Sequence, residues 1–363
     1  MSKPKEYPIK GKNYFAWEYQ EQTKIKHQVL GAYSKVWISK LGYSKNTLFF
    51  DCHGGCGAYL DVDDIVKFGS SIIVKQVADN VNQNRQTKTG IFYCEKQKKN
   101  YDNFLKVVDD CGKPKVNHYN DSFENVILNP TIIKYYNTYP SLFFVDPFGY
   151  NFDINVLAGL MNSFGNELII NFMFDFINRF ISDPKIENAC NTFFGCNDWK
   201  KADKLSNHER EEFLVDLFKR QLRKITGAKY IFAYRLCYPD KSQTYYYLIH
   251  ATNHIDGITF MKQAFASVNN GRVQYLGKNN NTFTFFDLDS VKAEDIYSNC
   301  LLQFKGKKMT FNELWEKIVN DCAYTAKDLS NALISLEKER RVVLKRVSSK
   351  RCSYKENDLI EIL

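Results

Sequence analysis

The sequence contains ten cysteines among its 363 residues but no Cys-x-x-Cys pair. Structural zinc sites and thioredoxin-like redox sites use such pairs, so the sequence disfavours both. Cys52, His53 and Cys56 lie close together, but no second pair of ligands follows with metal-site spacing, and we expect no metal there. Cysteines scattered through apolar runs are typical of a reducing compartment, which predicts a cytoplasmic protein.

Long apolar runs are also missing. None approaches the ~20 residues that a membrane-spanning helix needs, so no membrane partner is expected. The first residues, Met1–Lys5, are polar and lack the apolar core of a secretory signal. There is no internal repeat and no low-complexity tract, and the length predicts either one large domain with an appendage or two domains.

Positive charge is in modest excess, since 50 Lys and Arg residues against 41 Asp and Glu residues give a net charge of +9. This sign favours a polyanionic partner such as DNA or RNA, although an ordinary solvated surface also explains it. The chain has 28 Phe and 23 Tyr residues, enough both to build a core and to provide stacking surfaces.

The most informative segment joins an apolar run to a glycine-rich turn. Leu48–Phe50 predicts a buried strand, Asp51 ends it, and Gly54, Gly55 and Gly57 follow. Glycine lets backbone N–H groups approach a ligand because it has no Cβ and tolerates positive φ. At the carboxyl end of a strand in an open α/β sheet, such a turn is typical of a site for a nucleotide-like cofactor. A plain connection between strand and helix is the alternative.

The residues that follow the glycine turn limit which kind of cofactor site it can form. Gly57 is followed by Ala58 and Tyr59, which excludes a phosphate-binding P-loop because that motif needs Gly-Lys-Ser/Thr. A second apolar run, Gly90–Cys94, ends at Glu95. An acid at this place commonly bonds the two ribose hydroxyls of a bound cofactor.

Further strand-like runs, the first of them short with polar residues at its end, predict the rest of a parallel sheet wrapped by helices. They are Lys115–Asp121, Ser141–Val145, Glu167–Phe172 and Tyr245–Thr252. Residues 1–25 are expected to form an extended arm ahead of a helix over about 26–41, and residues 61–90 a loop and a crossover helix. His27, in the first of these helices, either touches the cofactor site or is a hydrogen-bonded helix histidine.

The fourth predicted strand runs into Asp146-Pro147-Phe148-Gly149-Tyr150. This element has the form of the Asp/Asn-Pro-Pro-aromatic motif of amino-group methyltransferases, with Phe148 replacing the second proline and Tyr150 one residue later than the usual aromatic. An exocyclic amine is a poor nucleophile, and an acceptor for its N–H raises the electron density on nitrogen. Asp146 would be that acceptor beside the Pro147 carbonyl, and Phe148 or Tyr150 would stack on the base. A rigid turn with a helix-capping acid is the alternative.

Several blocks together resemble the three-Cys-motif partner proteins, a bacterial family found beside a radical-type partner protein. The blocks are Lys26-His27, Asp51–Gly57, Val145–Tyr150, Asn171–Phe174, Ile177–Phe180, Ala251–His254 and Met261-Lys262. The family is similar in fold to class I S-adenosylmethionine methyltransferases and closest in style to ribosomal-RNA adenine methyltransferases with a helical insertion. Its glycine turn usually reads Asp-Gly-Phe-Ala-Gly-Pro-Gly, whereas His53 and Cys56 stand here at the Phe and Pro positions.

The resemblance implies an α/β fold, with a Rossmann-like class I methyltransferase sheet of seven strands over residues 1–302. It also implies S-adenosyl-L-methionine as the cofactor and a three-Cys-motif radical enzyme as a possible partner protein. Glu95 is then expected on the cofactor ribose and Asp121 at its adenine amine. The expected cofactor-binding residues are Asp51, His53, Gly54, Gly55, Gly57, Glu95 and Asp121.

Two segments are candidates for substrate contact. Residues 181–228 interrupt the strand order with two amphipathic helical patterns, which we interpret as a helical insertion acting as a lid, a solvated helix pair being the alternative. Asn253 and His254 follow a predicted strand and could bond a substrate edge. Equally, Asn253 could cap the helix predicted over residues 258–265.

The composition shifts after residue 302, which places a second domain at residues 303–363. A helical pattern over 309–322, a second helix starting with a capping box at Thr325 and Asp328, and two strands at 341–347 and 358–363 predict a C-terminal winged helix. Arg341, Lys345 and Arg346 are its candidate phosphate contacts. A winged helix used for protein contacts is the alternative.

These features predict an enzyme, an S-adenosylmethionine-dependent methyltransferase that modifies an exocyclic amine of a nucleobase in DNA or RNA. Two alternatives stay open because the second proline of the motif is missing. The protein could be a non-catalytic or accessory partner of a radical-type enzyme system, or it could methylate a protein or peptide.

Overall fold

The computed structural model describes residues 5–9, 12–112, 114–238, 243–268, 273–275, 284–285, 292–322, 324–347 and 358–363. The chain divides into two compact units, residues 1–254 and residues 255–363. The second unit begins at Ile255, earlier than the domain boundary predicted after residue 302, which stays a prediction. Among the described residues, no helix has both the length and the apolar character needed to cross a membrane.

Strands and helices alternate through most of the first unit. Its strands are β1 (Lys5–Ile9), β2 (Lys12–Glu18), β3 (Thr47–Asp51), β4 (Ala58–Leu60), β5 (Val66–Phe68), β6 (Thr89–Cys94), β7 (Asn117–Tyr119), β8 (Ser141–Val145), β9 (Glu167–Phe172), β10 (Tyr230–Cys237) and β11 (Thr244–Thr252). Its α-helices are α1 (Glu21–Leu41), α2 (Ser70–Asn82), α3 (Lys98–Asp110), α4 (Phe123–Ile127), α5 (Pro130–Thr138), α6 (Phe174–Phe180), α7 (Glu187–Phe194) and α8 (Asn207–Thr226).

Seven strands form the central sheet of the first unit, in the order β7-β6-β3-β8-β9-β11-β10. The five strands from β7 to β9 are parallel to one another, whereas β11 runs antiparallel to both β9 and β10. Every residue of β3, β8 and β9 is buried, as in central strands that are covered on both faces. The predicted Rossmann-like, mostly parallel sheet of seven strands is confirmed.

The chain changes direction across this sheet between β7 and β8. β6 and β7 follow one another on one side of β3, and β8 then lies on the other side of β3. Such a switch point opens a crevice at the carboxyl ends of the strands, where ligands bind in open α/β sheets. Asp51 ends β3, while Glu95 and Asp146 directly follow β6 and β8.

The N-terminal residues form more structure than the sequence predicts. β1 and β2 make an antiparallel hairpin, β2 pairs in parallel with β4, and β4 pairs with β5. Two segments of the arm expected over residues 1–25, Lys5–Ile9 and Lys12–Glu18, therefore belong to a small sheet, and the first helix begins at Glu21. Trp17 pairs with Tyr59, and a partner so distant in sequence leaves no local pattern in the arm.

The sixth strand, β10, is missing from the sequence prediction, although Tyr230–Tyr234 forms an apolar run ahead of Arg235. Arg235 is only 6% exposed, and its Nε donates to Glu211 Oε1 (3.1 Å) and to the Thr244 hydroxyl (2.5 Å). A buried cation is tolerated here because α8 supplies the partner carboxylate. The same ion pair fastens α8 to the sheet.

The predicted helical insertion lies between β9 and β10 and contains α7 and α8. A capping box made by Ser206 and Glu209 begins α8, and Gly227, with φ +69°, ends it. Leu214, Leu217 and Leu222 are buried, as their helical spacing predicts. The role of the insertion as a lid stays a prediction.

The second unit mixes helices with a small antiparallel sheet of order β14-β16-β15. Its elements are α9 (Ile255–Val268), β12 (Val273–Tyr275), β13 (Thr284–Phe285), α10 (Ala293–Ile296), β14 (Lys308–Thr310), α11 (Phe311–Ile318), α12 (Ala326–Lys338), β15 (Val342–Lys345) and β16 (Leu359–Ile362). The predicted capping box of Thr325 and Asp328 is confirmed at α12. The turn between the last two predicted strands lies outside the described residues, and the winged-helix assignment stays a prediction.

Candidate active site at the switch point of the sheet

The glycine turn after β3 is shaped by Tyr93 of β6. Gly55 and Gly57 have positive φ (+62° and +75°), and a Cβ added to Gly54 would lie 2.1 Å from the Tyr93 ring. The Tyr93 hydroxyl donates to the Gly55 carbonyl, and its ring stacks on Phe104 with centroids 3.6 Å apart. The turn therefore packs against the Tyr93 and Phe104 rings, and each of the three glycines is favoured by close packing or by its positive φ.

Glu95 closes the turn from the next strand. Its carboxylate accepts hydrogen bonds from the backbone N–H groups of Gly55 (3.0 Å) and Gln97 (2.6 Å). Burial raises the pKa of Glu95, and these two donors oppose the rise. Glu95 thus links the ends of β3 and β6, while its expected contact with a ribose stays a prediction.

Asp51 is fully buried beneath the turn. Its Oδ2 accepts from the hydroxyls of Ser70 (2.5 Å) and Ser71 (2.6 Å) at the start of α2, whereas Oδ1 is buried without a hydrogen-bond partner in the described part of the chain. Burial raises the pKa of Asp51 to about 6, against the opposing effect of the two hydroxyls. Its carboxylate therefore retains an unused acceptor at the carboxyl end of the central strand.

Asp146 follows β8 and forms a partly buried ion pair with Lys26. The Lys26 ammonium of α1 lies 2.5 Å from Asp146 Oδ2, and the Asn171 amide of β9 donates to Oδ1 at 2.5 Å. Burial alone would raise the pKa of Asp146, but the Lys26 charge and these hydrogen bonds hold it below its usual value. Asp146 is consequently an ionised, oriented acceptor. Sequence reasoning did not identify Lys26 or Asn171 as its partners, although both lie in blocks that carry the family resemblance.

His27 lies next to Lys26 in an aromatic enclosure. It is 2% exposed, its Nδ1 lies 3.2 Å from the Tyr19 hydroxyl, and its ring meets Tyr59 edge-on at 5.0 Å between centroids. Burial lowers the pKa of His27 to about 3, with the Lys26 charge adding to the effect. His27 is therefore a neutral, hydrogen-bonded helix histidine at pH 7.

His53 of the glycine turn is also held neutral. Its ring lies between Phe123 (5.9 Å between centroids) and Phe152 (6.3 Å), and burial lowers its pKa to about 4. Three polar atoms near this edge are buried without a hydrogen-bond partner in the described residues: Asp51 Oδ1, His53 Nδ1 and Asn171 Oδ1. A buried polar atom without a partner is costly, so three of them near one strand edge indicate a place for a polar ligand.

The two aromatic residues of the motif after β8 lie in different environments. Phe148 is 51% exposed, whereas Tyr150 is 6% exposed and donates its hydroxyl to the Ile177 carbonyl at 2.8 Å. Tyr150 also packs edge-on against Phe176 and Phe193. The expectation that Tyr150 could stack on a base is therefore corrected, because its ring and hydroxyl are used in the core. Phe148, next to Pro147, presents its ring to solvent.

Asn253 and His254 lie at the opposite edge of the sheet from Asp146, which corrects their expected place in the site. The reason is the direction of β11, whose last residues pair with the first residues of β9. The Asn253 side chain accepts from the Lys229 N–H (3.0 Å) and donates to the Met161 carbonyl (3.0 Å). It therefore ties loops together at the amino edge of the parallel strands.

Asp121 follows β7, as expected, and its Oδ1 accepts from the Ser122 N–H (2.7 Å) and the Asn125 amide (2.8 Å). Its contact with an adenine amine stays a prediction. No group of three or more His, Cys, Asp or Glu residues in the described ranges has a geometry that could hold a metal ion.

Two of the three candidate phosphate-binding residues of the second unit already form ion pairs. Arg341 pairs with Glu294 and lies 3.7 Å above the Tyr297 ring, and Arg346 pairs with Glu337 at 2.5 Å. Lys345 is exposed. The expected phosphate contacts of Arg341 and Arg346 would therefore require exchange of a carboxylate for a phosphate, whereas Lys345 is presented directly.

No protein-family model and no curated protein matches the sequence. Solved structures that are similar include Legionella pneumophila protein LPL1258 of family DUF519, with 13% identity, a TM-score of 0.40 and coverage of 68% of this chain and 95% of that one. An rRNA methylase from Streptococcus thermophilus has 9% identity, a TM-score of 0.32 and coverage of 60% and 93%. Geranyl diphosphate C-methyltransferase from Streptomyces coelicolor, solved with S-adenosyl-L-homocysteine, has 11% identity, a TM-score of 0.29 and coverage of 64% and 84%.

Likeness at these identities and TM-scores carries no argument about substrate or mechanism. The resemblance to the three-Cys-motif partner family accordingly stays a prediction.

The buried neutral His27 should make the fold sensitive to acid. Its pKa is about 3 in the folded protein against 6.5 when unfolded, so the stability that it confers is complete above pH 6.5 and is lost as the pH falls towards 3. We expect a loss of about 3 kcal/mol between pH 6.5 and pH 4 from this residue. His27→Gln, which keeps a hydrogen-bonding group for Tyr19, should remove that part of the dependence in urea unfolding at several pH values.

His208→Gln is the matched control, because the His208 side chain is 47% exposed on α8. If both variants retain the acid dependence of the original chain, burial of neutral His27 is not its source.

Proposed function

We propose that this protein is an S-adenosylmethionine-dependent methyltransferase that acts in the cytoplasm on an exocyclic amine of a nucleobase in DNA or RNA. The observation that carries the proposal is the arrangement at the switch point, where an ionised Asp146 lies at the strand end next to Asp51, whose Oδ1 has no hydrogen-bond partner among the described residues. The aromatic Phe148 stands beside them with its ring exposed. A three-Cys-motif radical enzyme is a proposed protein partner.

The residues at the switch point fit the proposed cofactor. Asp51 Oδ1 supplies an acceptor for the ammonium of its amino-acid portion, and the glycine turn lets that portion approach the backbone. Glu95 would bond the ribose and Asp121 the adenine amine, with His53 against the same turn. When bound, S-adenosylmethionine supplies an electrophilic methyl group.

Asp146 is suited to orient the amine that accepts this methyl group. The Lys26 pair keeps it ionised despite burial, and each carboxylate oxygen has a second lone pair beyond those used by Lys26 and Asn171. Asp146 and the Pro147 carbonyl can therefore accept the amine N–H groups and direct the nitrogen lone pair to the methyl group. Stacking of the base on Phe148 would hold the ring in that orientation.

Cofactor binding should depend on the ionisation of Asp51. Because the pKa of Asp51 is about 6, protonation below that pH removes its charge and should weaken S-adenosyl-L-homocysteine binding by up to about tenfold per pH unit. Isothermal titration calorimetry between pH 5 and pH 8 measures this. Asp51→Asn should bind weakly with a flattened pH profile, and complete failure of the folded wild-type chain to bind, with or without nucleic acid, rejects the cofactor.

Methyl transfer should require Asp146. With radiolabelled S-adenosylmethionine and total nucleic acid, Asp146→Asn should lower transfer by roughly 100- to 1,000-fold, since it removes the charged acceptor for the amine. Asp216→Asn, at a side chain 73% exposed on α8, should transfer normally. Label found in protein alone would favour methylation of a protein, and label equal in Asp146→Asn and the wild type would exclude the role of Asp146.

For the second unit we propose a winged helix that contacts phosphates through exposed Lys345. Removing one cationic partner of a phosphate reduces the slope of log K against log salt by ~0.9 on duplex DNA, because one fewer counterion is released on binding. Lys345→Gln should therefore weaken binding at every sequence and flatten the slope by about that amount in anisotropy titrations. Lys88→Gln, an exposed lysine of the first unit just before β6, is the control. An unchanged slope for Lys345→Gln assigns this surface to protein contacts.

A further inference from the structure

We propose that Phe148, Phe176 and Phe180 form a stacking platform for the target base and the bases that flank it, so that the substrate is single-stranded nucleic acid. The inference rests on the proposed function and adds to it the class of nucleic acid. We call these three residues the aromatic row.

The aromatic row continues from the candidate active site along α6. The Phe148 ring, 51% exposed, lies 5.6 Å from the Phe176 ring between centroids, and Phe176 lies 5.0 Å from Phe180, which is 36% exposed. Phe148 follows Asp146-Pro147 directly, so the row begins where the target base would be held. Phe176 is half-buried between them, so Phe148 and Phe180 are the exposed rings of the row, and large apolar groups exposed side by side often mark an interaction site.

The row is rigidly attached to the loop that carries Asp146. Gly149, with φ +66°, lies under Phe176, and a Cβ added there would be 2.5 Å from the ring. Tyr150 packs against the Phe176 ring at 5.4 Å and bonds the α6 carbonyl of Ile177. A platform whose rings are already fixed loses little conformational entropy when it binds.

Nucleobases fit this row better than an apolar peptide does, because the flanking side chains are cationic. Arg179 precedes Phe180 with its side chain 58% exposed, and Lys185 is exposed shortly after it. Arg179 pairs with Asp175, but an exposed pair contributes little and exchanges readily for a phosphate. Aromatic platforms beside cationic side chains are how proteins hold single strands without reading sequence, and bases in an intact duplex cannot reach such rings.

The test measures binding of the full chain, saturated with S-adenosyl-L-homocysteine, to labelled single-stranded and duplex oligonucleotides by fluorescence anisotropy. Phe176→Leu and Phe180→Leu keep apolar volume and remove the aromatic face, which guards the loop around Gly149 against collapse. We expect each variant to weaken single-strand binding roughly 5- to 100-fold. Duplex binding, the salt slope and the affinity for S-adenosyl-L-homocysteine should stay unchanged, since the substitutions touch neither phosphate nor cofactor.

Phe164→Leu is the matched control. Phe164 is 68% exposed with the Lys45 ammonium over its ring, and it precedes β9 at the opposite edge of the sheet. Equal effects of Phe164→Leu and Phe180→Leu, or no effect of either α6 variant, overturn the platform while methyl transfer to nucleic acid can still stand. A wild-type chain that binds the cofactor analogue but no single strand overturns the platform together with the nucleic-acid substrate, and binding of duplex in preference to single strands overturns the platform alone.

Discussion

The partly buried ion pair between Lys26 and Asp146 is the interaction on which the site depends. It joins α1 to the tip of β8 across 120 residues of sequence, and it keeps a carboxylate charged where burial alone would neutralise it. Removing one partner would leave the other, largely desolvated charge without compensation. The position of the first helix and the charge of the Asp146 carboxylate, the proposed acceptor for the amine, are therefore set together.

Burial also shifts the pKa values of the titratable groups around this pair. His27 and His53 are both kept neutral by burial, so Lys26 supplies the positive charge that faces Asp146. Asp51, a short distance along the same strand edge, has a pKa raised by burial. Asp146 and Asp51 thus differ in proton affinity. Lys26 holds Asp146 ionised, whereas a bound cation can stabilise the charge of Asp51.

The sequence predicts the strands that contain an apolar run buried on both faces of the sheet. It misses several strands whose burial or pairing depends on residues distant in the sequence. β3 and β8 are mostly apolar and buried on both faces, and β9 contains the apolar run Leu168–Ile170 between buried Glu167 and Asn171. β10 is almost as deeply buried but contains Arg235, whose partner Glu211 comes from the preceding helix. β2 and β14 pair with strands far along the chain, and no local periodicity records such a pairing.

For the site, sequence locates residues along strands but cannot show which end of the sheet they reach. Asp51, Glu95 and Asp146 follow parallel strands, so their common edge could be inferred from the βαβ pattern alone. Asn253 and His254 also follow a strand, yet β11 is antiparallel and carries them to the other edge. The sequence does not reveal the partners of Asp146 for a related reason. Lys26 and Asn171 have the local pattern of ordinary helix and strand residues, and only the folded sheet shows that both contact the Asp146 carboxylate. The chemistry of this crevice therefore depends on pairs of residues that tertiary structure alone brings together.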